Sequence, residues 1–454
     1  MFAAHLLQCT MTNAQASSEL REIAARAKAL TAAIDVHAVS AGTVHAAVLE
    51  AMCSLSGGML RLIKSFGEPL LVSLGPSLLR VSARSLTVRA YSSRSLELQH
   101  VIGAMKLDQS TPLVSRFKAL VGEPWQGFTF YYDIVDDLNE GDYVSLQVRW
   151  CQFLAPCLGI QMYLTLAQVE VSWSSDDGSI TTRVFPSRIA LTSSLPVVLS
   201  KLSPSACCVA IAKQATAMAN EKDAASAKQY VNACVRNIAQ QFAPPARLSL
   251  SRYLQYPRCW VSGLYSLYLL LRGPLLGVVL QHSDDMHCAR ALFLHASLHL
   301  ASLLAQPYMV MMLRPDAYAP IPPLDTELAP DRVICVDAGD EIFLWIGGQA
   351  EVSLAEQGRT FATAAAASAC SRVPVPHVTI VHEGGSAERG ILAVSSPLCL
   401  VRPVCMYYVC IPLLRKNGLS CYFTAHYSCV EGRWCSTVGA CFPLQVVRCY
   451  VCVC

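Results

Sequence analysis

The residue types with chemical capacity are scattered along this chain. His295-Ala296-Ser297-Leu298-His299 sets two imidazoles four positions apart, with His287 and Cys288 a few turns earlier. On one helical face that spacing would offer ligands to a metal. No glutamate follows His295, so the zincin pattern is not met, and the neighbouring positions are apolar. Half-buried, packed histidines are the expectation. The acidic run Asp133-Ile134-Val135-Asp136-Asp137-Leu138-Asn139-Glu140-Gly141-Asp142 gathers carboxylates of the kind calcium takes, but without EF-hand spacing. It reads as a solvated loop. Cys449-Tyr450-Val451-Cys452 has the spacing of half a zinc site, and no second close pair completes it. There is no Walker loop, no dinucleotide fingerprint and no nucleophile elbow, so no catalytic machinery for a reaction of its own is expected.

Bulk properties narrow the class. A chain of 454 residues with 53% hydrophobic content implies roughly two to four domains with ample core. The net charge of +3, with dispersed basic residues, argues against a nucleic-acid partner. A mean hydropathy of +0.39 raises the membrane question, and an integral membrane protein using 261–280 and 293–313 as spans is one alternative. Arg272, Gly273 and Pro274 interrupt the first segment, which favours a buried helical hairpin. Met1 to Leu7 lacks a basic region and has a short apolar run, so a cytosolic chain is expected. Of the 21 cysteines, many crowd the stretch from Cys399 to Cys454. The others are spread as small buried hydrophobes are.

The elements that would position any site follow from periodicity. A helix over 18–31, a strand at Ile34 to Val39, a helix over about 42–55 and a strand after Gly57-Gly58 form an αβαβ pattern, hence a parallel α/β sheet. Alternating strands come next: Leu86 to Tyr91, Leu96 to Ile102, Phe128 to Tyr132, Tyr143 to Trp150, Leu164 to Trp173 and Ser179 to Ala190. Asp176-Asp177-Gly178 supplies turn chemistry between the last two, and an antiparallel β-sandwich is predicted. Residues 204–315 read as helical. Prolines at 315, 320, 322 and 323 read as a linker. Beyond it lie strands at Val333 to Asp337 and Ile342 to Ile346, a helix from Glu351 to about Ala367, and a strand at His377 to His382.

Several strings occur in a telling order: Ala32-Ala33-Ile34-Asp35-Val36-His37-Ala38 with Ser54-Leu55-Ser56-Gly57-Gly58, Ser93-Arg94-Ser95-Leu96-Glu97-Leu98, and Leu254-Gln255-Tyr256-Pro257. They are followed by Asp331-Arg332-Val333-Ile334 through Ile342-Phe343-Leu344-Trp345-Ile346-Gly347 and by Glu383-Gly384-Gly385-Ser386-Ala387-Glu388-Arg389-Gly390-Ile391-Leu392. Across roughly 1–396 this order resembles the GTPase-activating subunit of the COPII inner coat, the Sec twenty-three family. The resemblance implies a multidomain α+β chain. Its parts would be a remnant of a von Willebrand A-like α/β trunk (1–75), a β-sandwich (76–203), an all-helical domain (204–318) and a gelsolin-like α/β module (319–396). A Cys-rich tail over 397–454 lies outside the family pattern and is expected to be unstructured and not a domain.

The resemblance also implies a role for one residue. The arginine matching Arg389 is, in that family, the finger inserted into the active site of a Sar-type small GTPase, on a loop supported by Gly384, Gly385 and Ser386. Phosphoryl transfer spreads negative charge over the bridging and γ-oxygens, and a planar, permanently charged guanidinium stabilises it well. Glu388 stands where the family has a small residue and Gly390 where it has a bulky aromatic. Further implied partners are a cargo-binding coat paralogue, its interface mostly missing here, an outer-coat subunit, and the cytoplasmic face of the endoplasmic reticulum and COPII vesicles. The family's zinc ribbon has no counterpart in the chain, so no cofactor or metal is expected. The chain reads as truncated at its N-terminal side. A coat scaffold without activator activity is the second alternative.

Overall fold

The computed structural model describes residues 13–30, 32–39, 43–63, 83–91, 96–103, 105–111, 114–123, 125–134, 143–146, 167–174, 179–190, 203–242, 258–276, 283–314, 317–370, 372, 374–385, 391, 422–430, 433–441 and 448–453. The first unit contains α1 (Asn13–Ala29), β1 (Val36–Val39), α2 (Ala46–Ser56) and β2 (Leu60–Ile63). β1 and β2 pair in parallel, Val36 opposite Leu60, as the αβαβ pattern predicts. The glycine pair explains the turn between α2 and β2. Gly57 takes a left-handed φ of 81° and its amide caps the carbonyls of Cys53 and Ser54. A side chain on Gly58 would start 2.1 Å from the Ile34 carbonyl oxygen, so only glycine fits. Ala24, Ala46, Leu49, Met52 and Leu60 form the core of this unit.

Two sheets follow. One has the order β5-β6-β3-β9-β10-β8, from β3 (Ala83–Tyr91), β5 (Lys106–Thr111), β6 (Val114–Gly122), β8 (Tyr143–Leu146), β9 (Ala167–Ser174) and β10 (Ile180–Ala190). β9 and β10 pair antiparallel as predicted, Ser174 opposite Ile180, and the Asp176-Asp177-Gly178 turn lies outside the described residues. The second sheet contains β4 (Leu96–Ile102) and β7 (Phe128–Ile134). Phe117 of β6 meets Phe130 of β7 edge to face, ring centroids 5.5 Å apart, which fastens the sheets together.

The second sheet also corrects the expectation of an unstructured tail. β16 (Tyr422–Val430), β17 (Arg433–Cys441) and β18 (Arg448–Val453) complete it in the order β17-β16-β18-β7-β4. β18 runs antiparallel to β7, with Val451 opposite Phe130. Tyr, Phe, Thr, Val and Cys dominate these segments, all at home on a pleated surface, and β7 offers them an otherwise unpaired edge. Cys429, Cys435, Cys441, Cys449 and Cys452 of the tail thus lie on strands, and its other cysteines lie outside the described residues.

The helical region comprises α3 (Pro204–Glu221), α4 (Ala224–Phe242), α5 (Arg258–Leu270), α6 (Ser283–His295) and α7 (Leu298–Ala305). α3 is the central helix. Its buried Cys208, Ile211, Ala212 and Ala215 share one core with Leu267, Leu270, Leu276, Phe293 and Leu300. No helix of the described residues is long and apolar enough to cross a membrane. α5 stops at Leu270, just before Arg272 and Gly273, and the apolar run 293–313 is divided into two helices and a strand. α6 ends at His295 and Ser297 caps α7 through its hydroxyl, which accepts the Leu300 amide at 3.4 Å. His295 and His299 therefore do not share a helical face, contrary to the four-residue spacing.

The last sheet has the order β12-β11-β13-β14-β15: β11 (Tyr308–Arg314), β12 (Ala317–Ile321), β13 (Val333–Asp337), β14 (Glu341–Ile346) and β15 (His377–His382). α8 (Val352–Ser368) is the crossover between the parallel β14 and β15 and covers one face, where Ala355 and Ala362 meet Val333 and Leu344. Two sequence assignments change here. β11 lies within the stretch read as helical, and Pro320 sits in β12 rather than in a linker. Its position opposite Val310, on a strand paired along one side, is where a residue without an amide hydrogen is tolerated.

Candidate functional site

Arg389 and Ser386 lie outside the described residues, together with Ala387, Glu388 and Gly390. The structure describes the two ends of that segment. On the entry side, β15 is the last strand of its sheet among the described residues and pairs with β14 in strict parallel register, His382 opposite Ile346. The ladder continues one step beyond, because the Glu383 amide donates to the Ile346 carbonyl at 3.2 Å. The Glu383 carboxylate then reaches sideways and accepts the Gly348 amide at 2.8 Å.

The chain next turns sharply. Gly384 has a φ of 71°, and nothing stands within 4 Å of where its Cβ would be, so its glycine answers a backbone requirement rather than crowding. Gly385 answers the opposite need. Its Cβ would lie 2.8 Å from the His382 carbonyl oxygen, which also accepts the Gly385 amide at 2.9 Å. Of the three supporting residues implied by sequence, the structure brings these two together in one turn.

On the exit side, Ile391 is fully buried, in a cluster with Met309, Val336, Phe343, Trp345 and Val381 on the sheet face away from α8. Residues 386–390 are thus flanked in sequence by a hydrogen-bonded turn and a core position. The donor turn at Gly348 is itself held, since the Gly347 amide donates to the Arg332 carbonyl at 2.9 Å and the Gln349 amide to the Pro330 carbonyl at 2.7 Å. Arg332 pairs in turn with Glu327.

Among the described residues no group of three or more His, Cys, Asp or Glu is disposed to hold a metal. Burial, with Lys213 nearby, pushes His295 down to about 4, so its ring is neutral near pH 7. His299 is exposed on α7; partial desolvation of its ring, and then the Arg372 charge, lower its pKa. The thiols of Cys53, Cys288 and Cys335 are pushed up to about 12, chiefly by burial, and stay protonated and inert. Most of the acidic run 133–142 and the side chains of Cys449 and Cys452 lie outside the described residues.

Sequence reasoning missed three buried ionic groups that hold the scaffold. Lys213, 1% exposed, donates to the Ala296 carbonyl at 2.6 Å. Arg290 donates to the Leu275 carbonyl at 2.9 Å. Asp284 accepts the amides of Val44 at 2.6 Å and Ala46 at 3.0 Å, joining α6 to the start of α2. Lys213 and Arg290 are isolated charges in an otherwise helical pattern and Asp284 is one of a pair with Asp285, and no local signal separates such residues from solvated ones.

No protein-family profile matches the chain. Protein transport protein SEC23 A of Arabidopsis thaliana is 25% identical over 370 residues, which cover 78% of this chain and 39% of that protein. The chain therefore spans well under half the length of this curated relative. The crystal structure of the human COPII-coat protein Sec24c matches with a TM-score of 0.67 at 14% identity, over 84% of this chain and 52% of that one. At that identity the likeness is one of fold.

Proposed function

We propose, from the premise that this chain is a Sec23/Sec24-family COPII protein, that it is a coat subunit of endoplasmic reticulum to Golgi transport that activates a Sar-type small GTPase. In this reading it hydrolyses nothing itself and supplies Arg389 in trans. The guanidinium neutralises charge that develops on the β–γ bridging and γ-oxygens as the terminal phosphoryl group leaves, while the GTPase provides magnesium and the attacking water. Its other partners are a cargo-binding coat paralogue, an outer-coat subunit and, peripherally, the cytoplasmic face of the membrane.

The observation that carries the reading is the bracketing of Arg389. A finger acts by position, and a misplacement of about 1 Å costs on the order of a hundred-fold in rate. The Gly384-Gly385 turn and the buried Ile391 provide fixed points on either side of 386–390. A scaffold without activator activity is the competing reading, and the flanking Glu388 and Gly390 favour it: the first offers Arg389 an intramolecular partner, the second removes bulk beside it.

Single-turnover GTP hydrolysis by the Sar-type GTPase, with the wild-type chain and with Arg389→Ala and Arg389→Lys, separates the two. An active finger predicts that Arg389→Ala lowers the stimulated rate by about three orders of magnitude and that lysine does not restore it. Equal rates for wild type and Arg389→Ala leave the scaffold.

A further inference from the structure

We infer that Glu383 is a positioning residue for the segment that carries Arg389; the inference rests on the finger reading above. Glu383 follows directly on β15, and its own amide is committed to the Ile346 carbonyl. Its side chain does something separate. The carboxylate crosses from the end of β15 to the turn after β14 and accepts the Gly348 amide at 2.8 Å.

Gly348 is a suitable anchor because its turn is fixed on both sides, through Gly347 to Arg332 and through Gln349 to Pro330. A Cβ on Gly348 would stand 3.0 Å from the Glu383 carboxylate oxygen, so the approach of the acid is close as well as polar. The consequence is local. Gly384, at a φ of 71°, has nothing among the described residues within 4 Å of where a Cβ would stand. Without the tie, the turn would be held on this side by the Glu383 and Gly385 backbone bonds alone, at the last strand of the sheet among the described residues. The carboxylate adds a charge-assisted acceptor immediately before the left-handed glycine. Ile391 does the corresponding work on the return side by burial. The two ends are therefore secured by different physics, a hydrogen bond on one and apolar packing on the other.

The acceptor, not the charge, is what this role needs, and that makes it testable. Glutamine keeps a carbonyl oxygen for the Gly348 amide; alanine keeps none. Wild type, Glu383→Gln and Glu383→Ala are compared by trypsin cleavage after Arg389, read by mass spectrometry, and by deuterium uptake at Gly348. Both readouts are independent of any GTPase. Glu383→Ala is expected to raise cleavage after Arg389 and exchange at Gly348 each by about ten-fold, with an unchanged melting temperature, while Glu383→Gln stays within about two-fold of wild type. In stimulated GTP hydrolysis, Glu383→Ala is expected to lower the maximal rate about ten-fold without moving the half-maximal concentration. Equal cleavage in wild type and Glu383→Ala, or a glutamine variant that behaves as alanine does, overturns the assignment. If the wild-type chain fails to stimulate hydrolysis, the finger reading fails, and cleavage and exchange still decide whether Glu383 holds the turn.

Discussion

His295 closes α6 at the point where three parts of the fold meet. Its carbonyl accepts the Gly127 amide at 2.8 Å, the next carbonyl takes Lys213, and its ring is held neutral by burial with Lys213 nearby. The linkage has a definite sign. The folded-state value is about 4 against an ordinary 6.5, so between those limits the unfolded chain binds more protons than the folded one. Stability from this group is complete above about pH 6.5 and falls as pH drops towards 4, by roughly 2–3 kcal/mol in all. Urea unfolding at pH 7, 5.5 and 4.5 should show that loss in wild type and a shallower slope in His295→Gln. Coincident slopes would mean that the ring titrates alike in the folded and unfolded chains. The packed His295 ring was the expectation from its apolar neighbours, but its junction with Gly127 and Lys213 was not legible in the sequence. The four-residue spacing from His299 pointed to a shared helical face, whereas Ser297 starts a new helix and separates the rings.

At the scale of elements, α2 begins with an unusual cap. His45 has a φ of 56° and provides no side-chain cap of its own. The acceptor comes instead from α6, through the two oxygens of Asp284. Burial would raise this carboxyl, but the amides of Val44, Ala46 and His45 prevail and hold it below its ordinary value. An anion at a helix N-terminus also meets the favourable end of the helix dipole. Asp284→Ala should cost about 2 kcal/mol and raise hydrogen exchange across 44–56, with Asp284→Asn between it and wild type. Exchange confined to α6 would show that the carboxylate does not cap α2. The helix itself was readable from its apolar spacing; its cap, 238 or more positions away, was not. Strands differed in the same way. β4 and β15 match their predicted limits because alternation and flanking turns mark them. Tyr308-Met309-Val310-Met311-Met312-Leu313 is apolar throughout, and a continuous run does not separate strand from helix. The β5–β6 hairpin went unread, and β16 to β18 were hidden by an atypical cysteine content. For the site, the glycine pair and Ile391 were legible as local sequence. The Glu383–Gly348 tie was not, since it joins two turns 35 residues apart.

At the scale of the molecule, the sandwich and the helical region are joined by bonds that neither could form alone. Tyr131 of β7, fully buried, donates to the Ala210 carbonyl of α3 at 2.9 Å. His100 of β4 stacks on Tyr131 at 4.4 Å and bonds Gln214 of α3 at 2.7 Å. Trp125 lies in the loop before β7 yet packs within the helical core; its indole donates to Glu123 and its carbonyl accepts the Ser297 amide at 2.7 Å. Such shared burial predicts one cooperative unit spanning 83–305 rather than two domains in contact. Trp125→Ala would remove a large side chain from the shared core, at a cost of about 3–5 kcal/mol. Opening free energies from native-state hydrogen exchange should fall together for β7 and for α3, by similar amounts. A drop limited to α3 would show that the sandwich folds independently and that the helical region merely rests on it. A common drop has a consequence for the proposed finger as well. α7 packs Leu300 and Leu304 against Gly339 in the turn between β13 and β14, so the sheet that contains β15 is braced by the same unit. If the chain acts by placing Arg389, as proposed, it needs a platform that moves as one body, and the bonds between β7, β4 and α3 are where such a platform would be joined.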